Sequence, residues 1–287
     1  MAFNNPRMTW SELERRLSDG RRSNVPPHAN GGDSPAWSRK RQPYVPPEEA
    51  AGTEHRSLRR RTSSTPYAEL HCHSNFSFLD GASHPEELAE EAARLGLSAL
   101  ALTDHDGFYG VVRFAEAATA VGMPTVFGTE LSFGLTKPQN GVADPEGHHL
   151  VVLARNPAGY ARLARAISEA QMASKEKGRP IVSFERLVEL HGGNWVVLTG
   201  CRKGTVPAAL VDGGPAAAQR ELDRLCNAFG RDNVVVELWD HGDPLDSARN
   251  DALAELAVRR GVDVVATANA HYATPARRPL ATALAAV

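Results

Sequence analysis

From position 66 onward, short apolar runs alternate with stretches of helical periodicity. Apolar runs at 68–71, 99–103, 125–128, 150–153, 195–198, 234–238 and 264–266 have strand length and are rich in Val, Leu and Thr. Between them, apolar positions recur with helical spacing over 85–95, 111–121, 157–170, 184–190, 215–229 and 246–260. Pro85 followed by Glu86 and Glu87 suits a first helical turn, where a missing N–H costs nothing and anions meet the helix dipole. Strands alternating with helices predict a parallel sheet with crossover helices. About seven such units point to an α/β fold closed, or nearly closed, into a β/α barrel, with a doubly wound open sheet as the alternative.

Residues 1–65 lack this alternation. Thr9-Trp10-Ser11-Glu12 is a capping-box pattern, and Trp10, Leu13 and Leu17 follow at helical spacing, which predicts one short helix ending at Gly20. Pro-, Gly- and Ser-rich sequence follows and predicts an extended leader before a domain spanning 66–287.

Charge sharpens that boundary. The whole chain carries 32 Lys+Arg against 34 Asp+Glu, a net of −2. Residues 1–65 hold 12 Lys+Arg against 7 Asp+Glu, so the leader is +5 and the remainder −7. Arg39, Lys40 and Arg41, with Arg59, Arg60 and Arg61, are candidate contacts to nucleic-acid phosphates; a solvated basic tail is the plain alternative. At 42% hydrophobic and 23% charged, the composition is ordinary for a globular protein. No apolar run approaches the roughly 20 residues that span a bilayer, and the first residues lack a signal-peptide core, so no membrane partner is expected. The 3 cysteines have no paired spacing, which argues against a disulfide framework and for a reducing, cytoplasmic setting.

Candidate chemistry gathers at the strand ends. His71 and His73 flank Cys72 and point to one side of an extended chain. A His-x-His pair is weak evidence alone. It is joined by Asp80, by Thr103-Asp104-His105 after the second run, by Glu130 after the third, by Cys201 after the fifth, and by Asn269-Ala270-His271 after the last. His148-His149 opens the fourth run instead of closing it, an exception that spacing does not explain. Barrel enzymes assemble their sites at the C-terminal ends of the strands, and His, Asp, Glu and Cys gathered at one rim are what a multi-metal site requires. Cys72, between the two histidines, should face the barrel wall, and Cys226 lies on an apolar helix face. His84 and His191 are expected at the surface.

With these residues the chain resembles the PHP (polymerase and histidinol phosphatase) phosphoesterase family. The motifs are His71-Cys72-His73, Leu79-Asp80-Gly81, Leu102-Thr103-Asp104-His105, Gly128-Thr129-Glu130, His149-Leu150, Thr199-Gly200-Cys201 and Asn269-Ala270-His271. Within it, Phe78-Leu79-Asp80-Gly81-Ala82, 198–204 and 237–242 look like the N-terminal part of bacterial C-family polymerases, the DNA polymerase III alpha subunits. Residues 8–13 and 38–41 look like their error-prone branch. The resemblance implies a distorted seven-stranded barrel and up to three divalent cations, whether Zn, Mn or Fe. It implies His71, His73 and Glu130 at the first, with the catalytic role; Glu130, His149 and Cys201 at the second; and Asp80, His105 and His271 at the third. The family's usual Asp two residues before the last His is Asn269 here, a neutral oxygen that should weaken cation binding. Members with a complete site serve as 3′–5′ exonucleases; here either a residual nuclease or a metal-stabilised structural domain is expected, the second slightly favoured.

By the same resemblance, polymerase aspartates would lie beyond this chain, which ends in an apolar helical pattern at 279–287. That predicts an N-terminal fragment of an alpha subunit that copies damaged DNA, partnered with DNA and, through the full-length protein, with other polymerase or mutasome subunits and the sliding clamp. A free-standing phosphatase of a small ester such as histidinol phosphate is the alternative.

Overall fold

All seven predicted strands recur in the structure, a computed structural model that describes residues 65–139 and 142–287. The predicted leader helix and the basic clusters Arg39–Arg41 and Arg59–Arg61 lie outside the described residues. The strands are β1 (Ala68–Glu69), β2 (Ala99–Leu102), β3 (Thr125–Phe133), β4 (His148–Ala154), β5 (Trp195–Leu198), β6 (Val234–Leu238) and β7 (Asp263–Ala266). They form one sheet in sequential order from β1 to β7. A doubly wound sheet needs a reversal of strand order; none occurs, and the sheet curls instead. Beyond its last ladder it is joined edge to edge by a parallel bridge between Cys72 and Ala270. His73 N donates to Ala270 O at 2.8 Å and Ala270 N to His71 O at 2.9 Å. The segments following β1 and β7 therefore meet at one rim, as a distorted barrel requires.

The expectation of an all-parallel sheet is corrected at β4. This strand pairs antiparallel with both β3 and β5, while the remaining pairs are parallel. A parallel return needs a crossover of a dozen residues or more, usually a helix. The connection between Phe133 and His148 carries no helix among its described residues, and the chain turns straight back. The first residues of β4 consequently lie at the rim where the other strands end.

Among the described residues the α-helices are α1 (Pro85–Leu95), α2 (Val111–Val121), α3 (Pro157–Ala173), α4 (Phe184–His191), α5 (Thr205–Phe229), α6 (Asp246–Arg260) and α7 (Arg278–Ala285). α5 starts ten residues earlier than predicted. It is bent at Gly214, which reads in sequence, with Pro215, as a helix break. No helix among the described residues is long and apolar enough to cross a membrane.

Period-two alternation divides the strand side chains between two cores. Leu150 and Val152 of β4 face outward into the main core, with Trp195, Leu163, Leu222, Leu225 and Leu253. Val151 and Leu153 face inward with Ala101 and Leu198. Each fully buried Leu or Val contributes about 1.5–3 kcal/mol from area alone. Trp195 is fully buried, and its Nε1 donates to Gly159 O at 2.8 Å. His191 is buried too, packed edge-on against Trp195 and Phe229, where a surface position was expected.

Candidate metal centre

The rim is assembled by backbone before any ligand is considered. Glu69 accepts from His71 N and from Ala268 N, both at 2.9 Å, and so ties the end of β1 to the segment after β7. Cys72 N donates to Thr103 Oγ1 at 3.0 Å, and Thr103 N to Cys72 O at 2.9 Å. Cys72 packs outward among Leu88, Ala92 and Leu100, which leaves His71 and His73 facing the inside. Asp104 accepts from Ser74 N, Ser74 Oγ and Ser77 Oγ and so organises the loop that carries Asp80. At Gly81 a Cβ would lie 2.0 Å from Ser74 O, so only glycine lets that loop close on itself. Further bridges place His105 beside Glu130 and His149 beside Gly204.

Glu130 is the hub. Its Oε2 lies 3.5 Å from His71 Nε2, 3.2 Å from His73 Nε2 and 3.4 Å from His105 Nε2. Its Oε1 lies 3.3 Å from His149 Nδ1. Asp80 forms a second node: Oδ2 accepts from His73 Nδ1 at 2.5 Å, and Oδ1 is 3.1 Å from His271 Nδ1. His71 Nδ1 donates to Glu237 Oε1 at 2.7 Å, and Thr267 Oγ1 donates to the same oxygen at 2.5 Å. Glu237 thus directs His71 Nε2 toward Glu130, the way carboxylates orient metal-bound histidines.

Ionisation follows from burial opposed by neighbours. Burial pushes the His71 imidazole down, but Glu237 and Glu130 outweigh it and hold it well above its usual range. Burial likewise opposes His73, yet Asp80 and Glu130 raise it to about 9. Glu130 is held well below the carboxylate range because His71, His105 and His149 overcome its burial. His105 is pushed down to about 3 by burial, against the pull of Glu130, and so presents a neutral ring.

These side chains fit divalent cations. His71 Nε2, His73 Nε2, His105 Nδ1 and Glu130 Oε1 are buried with no hydrogen-bond partner, a costly condition that coordination would relieve. Three sets bring ligand atoms within 4.8 Å of one another: His71, His73 and Glu130; His73, Asp80 and His105; and His105, Glu130 and His149. Nitrogen and carboxylate donors in such sets suit Zn, Mn or Fe.

The family profile described as PHP domain matches residues 69–241, more than half of the chain. The chain belongs to the PHP domain family. Curated relatives agree. A Mycobacterium bovis protein named Error-prone DNA polymerase is 54% identical over all of this chain, and a Cutibacterium acnes protein of that name is 50% identical. The chain spans about a quarter of the length of each, 25% and 24%. Among solved structures, a Bifidobacterium adolescentis protein assigned as a metal-dependent phosphoesterase matches with a TM-score of 0.51 at 18% identity, over 75% of this chain and 91% of that one; it shares the fold.

In this PHP domain the first expected ligand set, His71, His73 and Glu130, meets as a group. The others are redistributed. His105 faces Glu130 at 3.4 Å and Asp80 at 3.9 Å, and so stands between the two nodes. Cys201 is buried and lines the same cavity, but it belongs to none of the three sets. Burial and then Glu130 push its thiol up to about 12. His271 joins through Asp80, and Asn269 Oδ1 accepts from His271 Nε2 at 3.2 Å. His149 is buried and faces Glu130 as expected, and the reversal of β4 accounts for its place at the start of its strand. Glu237 opens the 237–242 stretch quoted from the sequence, but the sequence reading gave it no role. Its signal was an acid two residues after inward Val235 on a buried strand.

Proposed function

We propose that this chain is the N-terminal portion of an error-prone DNA polymerase that acts in translesion synthesis and DNA repair in the cytoplasm. Residues 66–287 are its PHP domain and 1–65 a basic leader that contacts DNA through Arg39–Arg41 and Arg59–Arg61. The full-length protein would extend DNA across damaged template and engage other polymerase or mutasome subunits and the sliding clamp. The relatives named Error-prone DNA polymerase support this reading. The domain itself holds divalent cations and has weak or no 3′–5′ exonuclease activity.

The observation that carries the metal assignment is the convergence of buried His71, His73 and Glu130 in one ligand set, with His71 Nε2, His73 Nε2 and Glu130 Oε1 lacking a hydrogen-bond partner. Cations held there would polarise phosphate oxygens and activate water. Glu130 spans adjacent ligand sets, Asp80 positions His73, and Glu237 aims His71. Asn269 supplies an amide where the family has a carboxylate. It hydrogen-bonds His271 and adds no charge to the site, which is why little hydrolysis is expected.

Elemental analysis of the purified chain should find bound Zn, Mn or Fe. Single-stranded DNA supplied with Mn²⁺ or Zn²⁺ should be degraded slowly or not at all, and Asn269→Asp should speed it. Robust hydrolysis that disappears in a His71→Ala, His73→Ala double variant would overturn the structural reading in favour of a nuclease. Metal-free protein would overturn both.

A further inference from the structure

A second cavity, of about 300 Å³, opens beside the metal centre and shares Asp80 and His105 with the main cavity of about 710 Å³. The two differ in chemistry. The main cavity adds Arg202, Lys203 and Arg278 to the metal-ligand side chains; Asp144 in the same lining pairs with the first two, and the three cations outnumber it, which suits phosphate. The smaller one is lined by Phe76, Phe78 and Tyr109 with the amides of Gln139 and Gln171, and by no cationic side chain. Phe78 is 67% exposed and Tyr109 60% exposed, although both lie next to a deeply buried ionic cluster. The loop explains the exposure of Phe78. Leu79, at φ +69°, turns inward and is buried, so its neighbour is left facing out.

A nucleotide carries an anionic phosphate on one side of its sugar and a flat apolar base on the other. Two cavities that meet at Asp80 and His105, one basic and one aromatic, match that division. Base stacking on aromatic rings is a recurrent and sequence-tolerant way to hold a single strand. It needs a base free of its partner strand.

We infer that Phe78 and Tyr109 form a stacking subsite for the base of the single-stranded DNA nucleotide whose phosphate meets the metal centre. The inference rests on the reading of this domain as a metal centre in a DNA polymerase. A small phosphate ester without a base would leave both rings unused.

The test is binding by the full 287-residue chain, read as fluorescence anisotropy. The probes are a labelled deoxythymidine strand of about ten nucleotides, within the usual span of a single-strand site, and an abasic strand of equal length. Wild type should prefer the thymidine strand. Phe78→Ala and Tyr109→Ala should each weaken it about tenfold, as expected for one stacked base, and leave the abasic strand unchanged. Phe78→Trp should retain the preference. Both side chains are exposed, and thermal melting checks that the variants fold. The inference is overturned if wild type binds the two strands alike or binds neither. It is equally overturned if the variants keep the preference or lose both strands together. Metal analysis of the same samples separates the failures. Bound metal without base preference sinks the subsite alone; base preference without metal supports the subsite and sinks the metal centre.

Discussion

At the scale of single residues, the centre depends on side chains that touch no outside molecule. Glu237 and His71 are both fully buried, and their 2.7 Å contact leaves Nε2 as the only His71 nitrogen facing Glu130. Glu237→Gln keeps the volume and removes the charge. It should lower metal affinity about 10- to 100-fold, the usual effect of losing a carboxylate that orients a ligand. Competition against a chelating dye measures this, and affinity equal to wild type would mean that Glu237 does not orient His71. Legibility at this scale was uneven. His71 and His73 were visible because a two-residue spacing on an extended chain places them on one side. Glu237 was quoted without its role, because a buried acid on a strand has no local mark separating a positioning role from an ordinary ion pair.

At the scale of elements, β4 decides where His149 points. The turn into β4 contains Gly147 at φ +84°, where a Cβ would lie 1.8 Å from Phe133 O. Gly134, at the other end of the same connection, has φ +74° and open space around it. Both alanine substitutions strain the backbone by about 1–3 kcal/mol, but only Gly147→Ala also drives a side chain into the neighbouring strand. Gly147→Ala should therefore lower the denaturant midpoint clearly more than Gly134→Ala and reduce bound metal as His149 shifts. Equal losses from the two would show that this close approach does not hold β4 in register. Helices α1, α2 and α6 match their predicted bounds because each ends at a glycine in the left-handed region, a stop that the sequence marks. The start of α5 and the direction of β4 were not legible: the first hides behind a kink that mimics a helix end, and the second depends on what the strand pairs with.

At the scale of the whole molecule, a cluster of histidines couples stability to pH and, under the proposed metal assignment, to cations. Without cations, Asp80 and Glu130 raise His73 from the ordinary 6.5 to about 9 against the pull of burial. A raised folded pKa means that its contribution is complete below about 6.5 and is lost as pH climbs through about 9. Cations reverse the sign, since ligands must shed protons to coordinate. The melting temperature of chelated protein should fall between pH 6.5 and 9, while the added stability from bound metal grows over the same window. Parallel pH profiles with and without chelator would remove the histidines from the metal assignment. The amino-acid order alone determined the alternation of strands and helices, the barrel class and most of the candidate donors, because periodicity and donor chemistry belong to neighbouring residues. The antiparallel turn of β4, the meeting of β1 with β7, the regrouping of ligands around Glu130 and Asp80, and the Glu237 contact across 166 positions were decided by the tertiary structure. Such pairings depend on which distant surfaces pack together, and no local pattern encodes that choice.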